Sequence, residues 1–281
     1  MNQGRRPSRM HGVSMIELMV SLTVGLVVVG AVLLSYLGSI RTSKLQAAYA
    51  EMNENAQIAM TFLGRDLLQA GYASPTGVSG STTFARSYSA RPVMGCDNGF
   101  AAPNTTGDVV CAVGAGKPAI EVVYEADIRN TVPTSAGVPS DCLGNGLPAT
   151  TVGTATFYFA YNRYYLTTSA IGRSELHCAS RQGAAGQPLA DNVEALKIWY
   201  GEANAANPRQ VVRYVSAANV TDWGQVLSVR VCLLMRSSDP VLTAEDSVTY
   251  LDCDSTLQSS ADRYARRAYF TTTTLRNKMA F

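Results

Sequence analysis

The chain has 281 residues, a formal net charge of +2 at pH 7 and six cysteines. Three arginines lie in the first twelve residues, and without them the rest of the chain carries a net charge of −1. Beyond them, basic residues cluster only at Arg263, Arg266 and Arg267, a smaller surface than recognition of a phosphate backbone requires. We therefore expect no nucleic acid among the partners.

The first element in the chain is an apolar segment that contains a single acid. Between residues 13 and 40 the only charged residue is Glu17. A run of this length predicts a helix that spans a membrane. A carboxylate within a bilayer costs roughly 2.5 to 3.5 kcal/mol on insertion scales, so Glu17 is a candidate functional residue. Cleavage between Gly12 and Val13 would create an amino group four residues before Glu17, with which the carboxylate of the same or a neighbouring chain could pair.

The residues before this segment determine its expected orientation. Arg5, Arg6 and Arg9 precede the span, and the positive-inside rule keeps such residues in the cytoplasm. A secretory signal peptide is not favoured, because its apolar core covers only about 7 to 15 residues and precedes its cleavage site. A plain signal anchor explains the length of the segment but leaves Glu17 unexplained.

The helix is expected to continue as an amphipathic half over residues 41–71. No proline occurs between Pro7 and Pro75, and apolar residues now recur every three or four positions, which is typical of a helix with one buried face. Gly71 is expected to end the helix. The apolar stripe contains Leu45, Tyr49, Met52, Ala56, Ala59, Leu63, Leu67 and Ala70. The residues expected on the other, polar side are Gln46, Glu51, Asn53, Glu54, Arg65 and Asp66.

Residues 72–281 are expected to form a globular head outside the cytoplasm. Low-charge stretches rich in Gly, Ser, Thr, Ala and Pro predict long loops at 74–118 and 130–153. The apolar stripe of the helix must pack against a sheet, so we expect an α+β fold with a mainly antiparallel sheet and the helix across one face. Enrichment in β-branched and aromatic residues predicts strands at Ala119–Glu125, Thr154–Tyr161, Tyr164–Thr168, Glu175–Ala179, Val193–Tyr200, Gln210–Val215, Val226–Met235 and Tyr269–Leu275.

All six cysteines follow the membrane segment, and their even number is typical of disulfides formed in an oxidising compartment. No pair has the C-x-x-C spacing of a redox or zinc site. Fifteen pairings are possible, and we favour the sequential one because short loops between neighbouring strands keep partners close. It joins Cys96 to Cys111, Cys142 to Cys178 and Cys232 to Cys253.

The sequence offers no pattern for catalysis or metal binding. Cleavage would remove His11, and His177 lies beside Cys178 in a predicted strand, where a structural role is more common. No G-x-S-x-G motif supplies the nucleophile of a Ser-His-Asp triad. The acids around Asp252 and Asp254 lack the spacing of an EF-hand. We therefore expect no enzymatic activity, no metal and no cofactor.

The N-terminal pattern resembles the class III signal of type IV pilins and pseudopilins. It comprises a basic leader at residues 1–12 that ends in Gly12, a hydrophobic Val13, Glu17 at the fifth mature position and about twenty further apolar residues. The resemblance implies that a prepilin peptidase cuts between Gly12 and Val13 and methylates the new N-terminus. It also implies that Glu17 guides the subunit into a growing filament. The family usually has Phe where this chain has Val13.

The same resemblance implies the type IV pilin fold. In that fold a long N-terminal helix packs on an antiparallel β-sheet head, here with long loops restrained by disulfides. Residues 13–40 would form the half of the helix that lies in the membrane or in the filament core. Before assembly the protein would cross the inner membrane once, with the leader in the cytoplasm and the head in the periplasm.

The C-terminal part of the chain resembles the PilW group of minor pilins. The resemblance rests on Asp191–Gly201, on Trp223 with Val226–Ser237, and on Arg266–Asn277. It implies a non-enzymatic subunit that joins other minor pilins and the major pilin, primes type IV pilus assembly and sits at low copy near the tip with an adhesin. Implied roles are adhesion and twitching motility. Two alternatives are a minor pseudopilin of a type II secretion system and a signal-anchored periplasmic binding or sensor domain that keeps its leader.

Overall fold

The computed structural model describes residues 12–79, 83–86, 91–152, 154–243 and 248–278. Of the predicted leader only Gly12 is described, and the arginines that determine the expected orientation lie outside the described residues. The chain divides into two compact units, Met1–Ala47 and Ala48–Phe281. One helix, α1 (Met15–Gln69), begins in the first unit and ends in the second.

Helix α1 agrees with the predicted helix to within two residues at each end. Among the described residues it is the one helix long and apolar enough to cross a membrane, and none of its most apolar stretch is buried. In the first unit its large apolar side chains are exposed, from Met15 at 88% to Leu37 at 52%. An apolar surface of this size needs lipid or another protein to cover it.

In the second unit α1 buries one stripe, as the sequence pattern predicts. The buried apolar residues of this half are Ala48, Met52, Ala56, Ala59, Leu63 and Leu67. The helix stops at Gly71, whose φ of +74° is a left-handed conformation that glycine adopts at little cost. The Gly71 N–H donates to the carbonyl oxygen of Val123 at 2.8 Å, so the end of the helix is fastened to a strand of the head.

The described residues of the head form fourteen strands, and every pair between them is antiparallel. In chain order they are β1 (Pro75–Ser79), β2 (Thr83–Arg86), β3 (Val93–Cys96), β4 (Ala119–Ala126), β5 (Ala149–Val152), β6 (Ala155–Thr168), β7 (Ser174–Ser180), β8 (Gln187–Asp191), β9 (Val193–Glu202), β10 (Arg213–Val215), β11 (Val226–Pro240), β12 (Val248–Leu251), β13 (Leu257–Ser260) and β14 (Tyr264–Thr274).

Two main sheets are present where the sequence predicted one. The first sheet has the order β3-β4-β6-β7-β8, with β5 also paired to β6, and the second has the order β10-β9-β11-β14. Two separate hairpins, β1–β2 and β12–β13, complete the head. The chain passes from the first sheet to the second at Asn192, which has a φ of +58° between β8 and β9. Asparagine tolerates this conformation better than most residues, and it makes a sharp corner.

The predicted break inside β6 was wrong. Enrichment in β-branched and aromatic residues predicts one strand that ends at Tyr161 and another that begins at Tyr164, since Asn162 and Arg163 belong to neither class. The structure keeps a continuous strand, in which Asn162 is 1% and Arg163 0% exposed. Both polar side chains are buried because each finds hydrogen-bond partners far away in sequence.

The predicted long loops are shorter than expected. Strands β1, β2 and β3 lie within 74–118, and β5 lies within 130–153. These strands are rich in Gly, Ser, Thr and Ala, so propensity alone does not mark them. The predicted strand Gln210–Val215 is reduced to the three residues of β10.

Three disulfides hold the irregular parts of the head. They join Cys96 to Cys111, Cys142 to Cys178 and Cys232 to Cys253, and the chain has no free cysteine. This is the sequential pairing. Each bond ties a loop or hairpin to a strand of one of the two sheets, so these irregular segments are restrained covalently.

Candidate functional site

The predicted cleavage site lies just before the first turn of α1. The Leu18 N–H donates to the carbonyl oxygen of Ser14 at 3.1 Å, so helical hydrogen bonding starts at Ser14. Gly12 and Val13 precede it in an irregular, exposed segment, and the side chain of Val13 is 70% exposed. A peptide bond in such a segment can enter the active site of a protease more readily than one inside a helix.

Glu17 lies in the first turn of α1, three residues after Ser14. A carboxylate there interacts favourably with the partial positive charge of the helix N-terminus. Ser-x-x-Glu is also the spacing of a capping box. This spacing is visible in the sequence, but among the described residues neither the Ser14 nor the Glu17 side chain makes the hydrogen bonds of a capping box. Within the described residues Glu17 forms no ion pair.

A buried polar cluster joins α1 to the first sheet. Asp66 is 6% exposed. Its Oδ2 accepts hydrogen bonds from the Tyr164 hydroxyl at 2.6 Å and from Asn162 Nδ2 at 2.7 Å, and its Oδ1 accepts one from the Tyr124 hydroxyl at 3.2 Å. The expectation that Asp66 lies on the polar side of the helix was wrong, because three donors on β4 and β6 satisfy its carboxylate inside the head.

Burial raises the pKa of the Asp66 carboxyl above its ordinary value. The hydrogen bonds from Tyr164, Asn162 and Tyr124, with the positive charge of Arg65, act in the opposite direction but do not cancel the effect of desolvation. Sequence reasoning had no signal for this cluster, since its members are up to 98 residues apart.

A second buried group fixes the loop between β3 and β4, residues 97–118. The Arg163 side chain is fully buried, and its Nε donates to Glu121 Oε1 at 2.8 Å. Its two terminal nitrogens donate to three carbonyl oxygens of the loop, those of Pro103, Thr105 and Gly107. The planar guanidinium suits this task, because its fork of donors reaches a carboxylate and several carbonyl oxygens together.

A third group fixes the segment between β9 and β11. Glu202 is 1% exposed; its Oε2 accepts from Arg213 Nη2 at 2.8 Å, and its Oε1 accepts from the backbone N–H groups of Thr221 and Asp222. Burial alone would raise the pKa of Glu202, but these hydrogen bonds and that of the Thr221 hydroxyl lower it to about 2.

The remaining candidates for chemistry have structural partners. His177 Nε2 lies 3.0 Å from Glu175 Oε2 on the same strand. Asp252 accepts hydrogen bonds from the N–H groups of Asp254 and Thr256 within its own turn. Among the described residues no group of three or more His, Cys, Asp or Glu side chains is placed to hold a metal ion.

Comparison with protein families gives two matches on different parts of the chain. Residues 163–277 match the model of "Type IV Pilus-assembly protein W", and residues 7–33 match that of the "Prokaryotic N-terminal methylation motif". A search of curated proteins found no match. Among solved structures, a type IV-like pilin from Thermus thermophilus is 12% identical, with a TM-score of 0.41 over 81% of this chain and 98% of its own.

The two family matches cover the predicted cleavage site and the second sheet. The methylation motif includes Gly12, Val13, Glu17 and most of the exposed apolar part of α1, and the model at 163–277 includes the whole second sheet. The two matches together support a type IV pilin of the PilW type.

Proposed function

We propose that the protein is a low-copy subunit that takes part in priming type IV pilus assembly and lies near the tip of the filament. Its partners there are other minor pilins, the major pilin below them and a tip adhesin. The observation that carries this proposal is the match at 163–277 to a pilus-assembly family, on a chain whose residues 7–33 match the methylation motif. The role is mechanical and needs no cofactor and no catalytic step.

Processing comes first in the proposed sequence of events. The apolar residues 13–40 hold the chain in the inner membrane, with the leader in the cytoplasm and the head in the periplasm. Prepilin peptidase then cuts between Gly12 and Val13 and methylates the amino group of Val13. The exposed, irregular conformation of these two residues supports the proposal, because the bond to be cut is not held in the helix.

Glu17 then acts in assembly. Its carboxylate neutralises the N-terminal amine of a neighbouring subunit as the apolar halves of the helices pack together. Salt screens a charge pair within lipid or within a filament core only weakly, so a single pair can select the correct register. The exposed apolar surface from Met15 to Leu37 supports this step, because packing against other subunits would cover it outside the membrane.

The test is deletion of the gene, with two outputs measured side by side. Surface pili are recovered by shearing, and secreted enzymes are assayed in the medium. We expect loss of pili with normal secretion, and recovery of pili when the wild-type gene is restored. Normal pili with impaired secretion would overturn the proposal in favour of a secretion pseudopilin. Normal pili and normal secretion would also overturn it, and a retained leader would then identify a signal-anchored domain.

A further inference from the structure

Strand β14 forms an outer edge of the second sheet. On one side it is paired with β11 from Tyr264 to Thr274, and among the described residues no strand pairs with its other side. Backbone N–H and C=O groups alternate between the two sides of a strand, so about half of the eleven residues of β14 direct theirs away from β11. A free edge of this length is a template for a further strand.

A groove of about 840 Å³ runs along this edge. Four successive threonines, residues 271–274, line one wall. Successive side chains of a strand point to opposite faces of the sheet, and a groove that runs along the edge can contact all four threonines. The opposite wall is the flank of α1, where Met60, Gly64 and Leu68 form a row with a spacing of four residues.

Gly64 is unusual in this row. Glycine is unfavourable in the interior of a helix, so a structural reason is expected. The structure of the single chain offers none, because a Cβ atom at residue 64 would meet nothing within 4 Å. A residue without a side chain is useful where the backbone of a second polypeptide passes close to the helix.

The charge around the groove identifies the kind of occupant. Arg65 and Arg276 line it, no described residue in its lining is acidic, and Arg267 is exposed on β14. In the described part of the chain none of these three arginines forms an ion pair. A second copy of β14 paired edge to edge would bring like charges together, which disfavours it.

We propose that an extended, acidic segment of a different subunit adds to the free edge of β14 as a further strand. Its backbone pairs with β14 and passes over Gly64, and acidic side chains at its ends meet Arg267 and Arg276. This mode gives affinity through main-chain hydrogen bonds and specificity through the charges at the ends. The inference concerns only the head, so it does not depend on the proposed role of Glu17.

The experiment measures binding of synthetic peptides to the full chain in detergent by fluorescence anisotropy. The probe is an eleven-residue peptide of alternating Thr and Val with two Glu residues at each end, compared with the same peptide carrying Lys at its ends. We expect the Glu peptide to bind, and the Lys peptide to bind at least about tenfold more weakly. In the double variant Arg267→Glu, Arg276→Glu the preference should reverse. No saturable binding of the Glu peptide, or equal binding of the two peptides, would overturn the proposal.

Two further measurements identify the mode of binding. N-methylation of alternate peptide residues blocks donors on one edge only, so one of the two possible patterns should abolish binding and the other should leave it unchanged. The variant Gly64→Phe should weaken binding by at least about tenfold without disturbing the fold, because space is free at this position. The matched control is Ile58→Phe, an exposed position of the same helix outside the groove. Equal sensitivity to both methylation patterns, or unchanged binding in Gly64→Phe, would exclude a strand at this edge.

Discussion

The hydroxyl group of Tyr164 donates a 2.6 Å hydrogen bond to the carboxylate of Asp66, which joins helix α1 to the first sheet. Replacing Asp66 with alanine leaves this hydroxyl, the Tyr124 hydroxyl and one N–H of Asn162 without their buried acceptor. We expect a loss of about 3 kcal/mol in the free energy of unfolding. Denaturant titration of the full chain in detergent measures it, because both tryptophans, Trp199 and Trp223, lie in the head.

The same carboxylate predicts an unusual dependence of stability on pH. Its pKa is raised in the folded state, so the folded protein holds the proton more tightly than the unfolded chain. This contribution to stability is present at low pH and is lost as the pH rises from about 4 through the folded-state pKa. Asp66→Asn lacks this titration, so its stability relative to wild type should increase with pH above 4. Parallel pH profiles of the two proteins would contradict the assignment.

The residues that could be predicted and those that could not differ in the range of their contacts. The stripe from Met52 to Leu67 follows from helical periodicity, because the residues that share a face are neighbours in sequence. Asp66 and Arg163 could not be placed, because polar residues are assigned to the surface by default. Their partners come from other strands and loops, 42 to 98 residues away. The groove at Gly64 was hidden for the same reason, since α1 and β14 are far apart in sequence.

Arg163→Met should destabilise the head by about 3 to 5 kcal/mol, because it leaves Glu121 buried without a cation. Three carbonyl oxygens of the loop 97–118 also lose their donor. Arg163→Lys should fall between wild type and Arg163→Met, since a single ammonium group cannot reach all four acceptors. Limited proteolysis followed by mass spectrometry should locate new cleavages in 97–118. Arg129→Met, at an exposed position, is the matched control and should not change the pattern.

Glu202 predicts the opposite pH dependence to Asp66. Hydrogen bonds lower its pKa to about 2 in the folded state, from an ordinary value of 4.5. Its contribution to stability is therefore present above pH 4.5 and is lost as the pH falls towards 2. Glu202→Gln should be less stable than wild type at pH 7 and should lose less on acidification. Thermal unfolding of wild type and Glu202→Gln is compared between pH 7 and pH 3, and Glu54→Gln at an exposed position is the control. If Glu202→Gln and wild type lose the same stability on acidification, the predicted role of Glu202 is wrong.

Glu17→Ala should be processed normally but absent from pili. The cleavage residues Gly12 and Val13 are unchanged in this variant, whereas the proposed partner of the N-terminal amine is lost. Mass spectrometry of the N-terminus and immunoblots of sheared pili measure the two steps separately. Glu17→Gln tests the charge alone, because glutamine can still accept hydrogen bonds but carries no charge. Normal amounts of Glu17→Gln in pili would show that the charge is not needed for assembly.

Removal of the disulfide between Cys232 and Cys253 should act locally. Cys253 follows β12, and the bond ties the β12–β13 hairpin to β11. The double alanine variant should lose about 2 to 4 kcal/mol in the stability of the hairpin. Strand β11 should persist, because β9 and β14 pair with it on either side. Hydrogen exchange is measured on the double variant with its other two disulfides intact. Relative to wild type, amide exchange should become faster at 248–260 than at 226–236. An equal acceleration in both segments would contradict a local role.

No cysteine lies in α1, so none of the three disulfides crosses from the helix to the sheets. In the second unit, hydrogen bonds of Asp66 and of Asn53 with Tyr269 hold the helix to the head together with the buried stripe. The side chain of Asn277 adds contacts to the last carbonyl oxygens of the helix. A force that pulls on the helix is therefore opposed only by noncovalent contacts, whereas disulfides hold the loops of the head. Under tension we expect the contacts between α1 and the sheets to break first. They can form again without any disulfide chemistry.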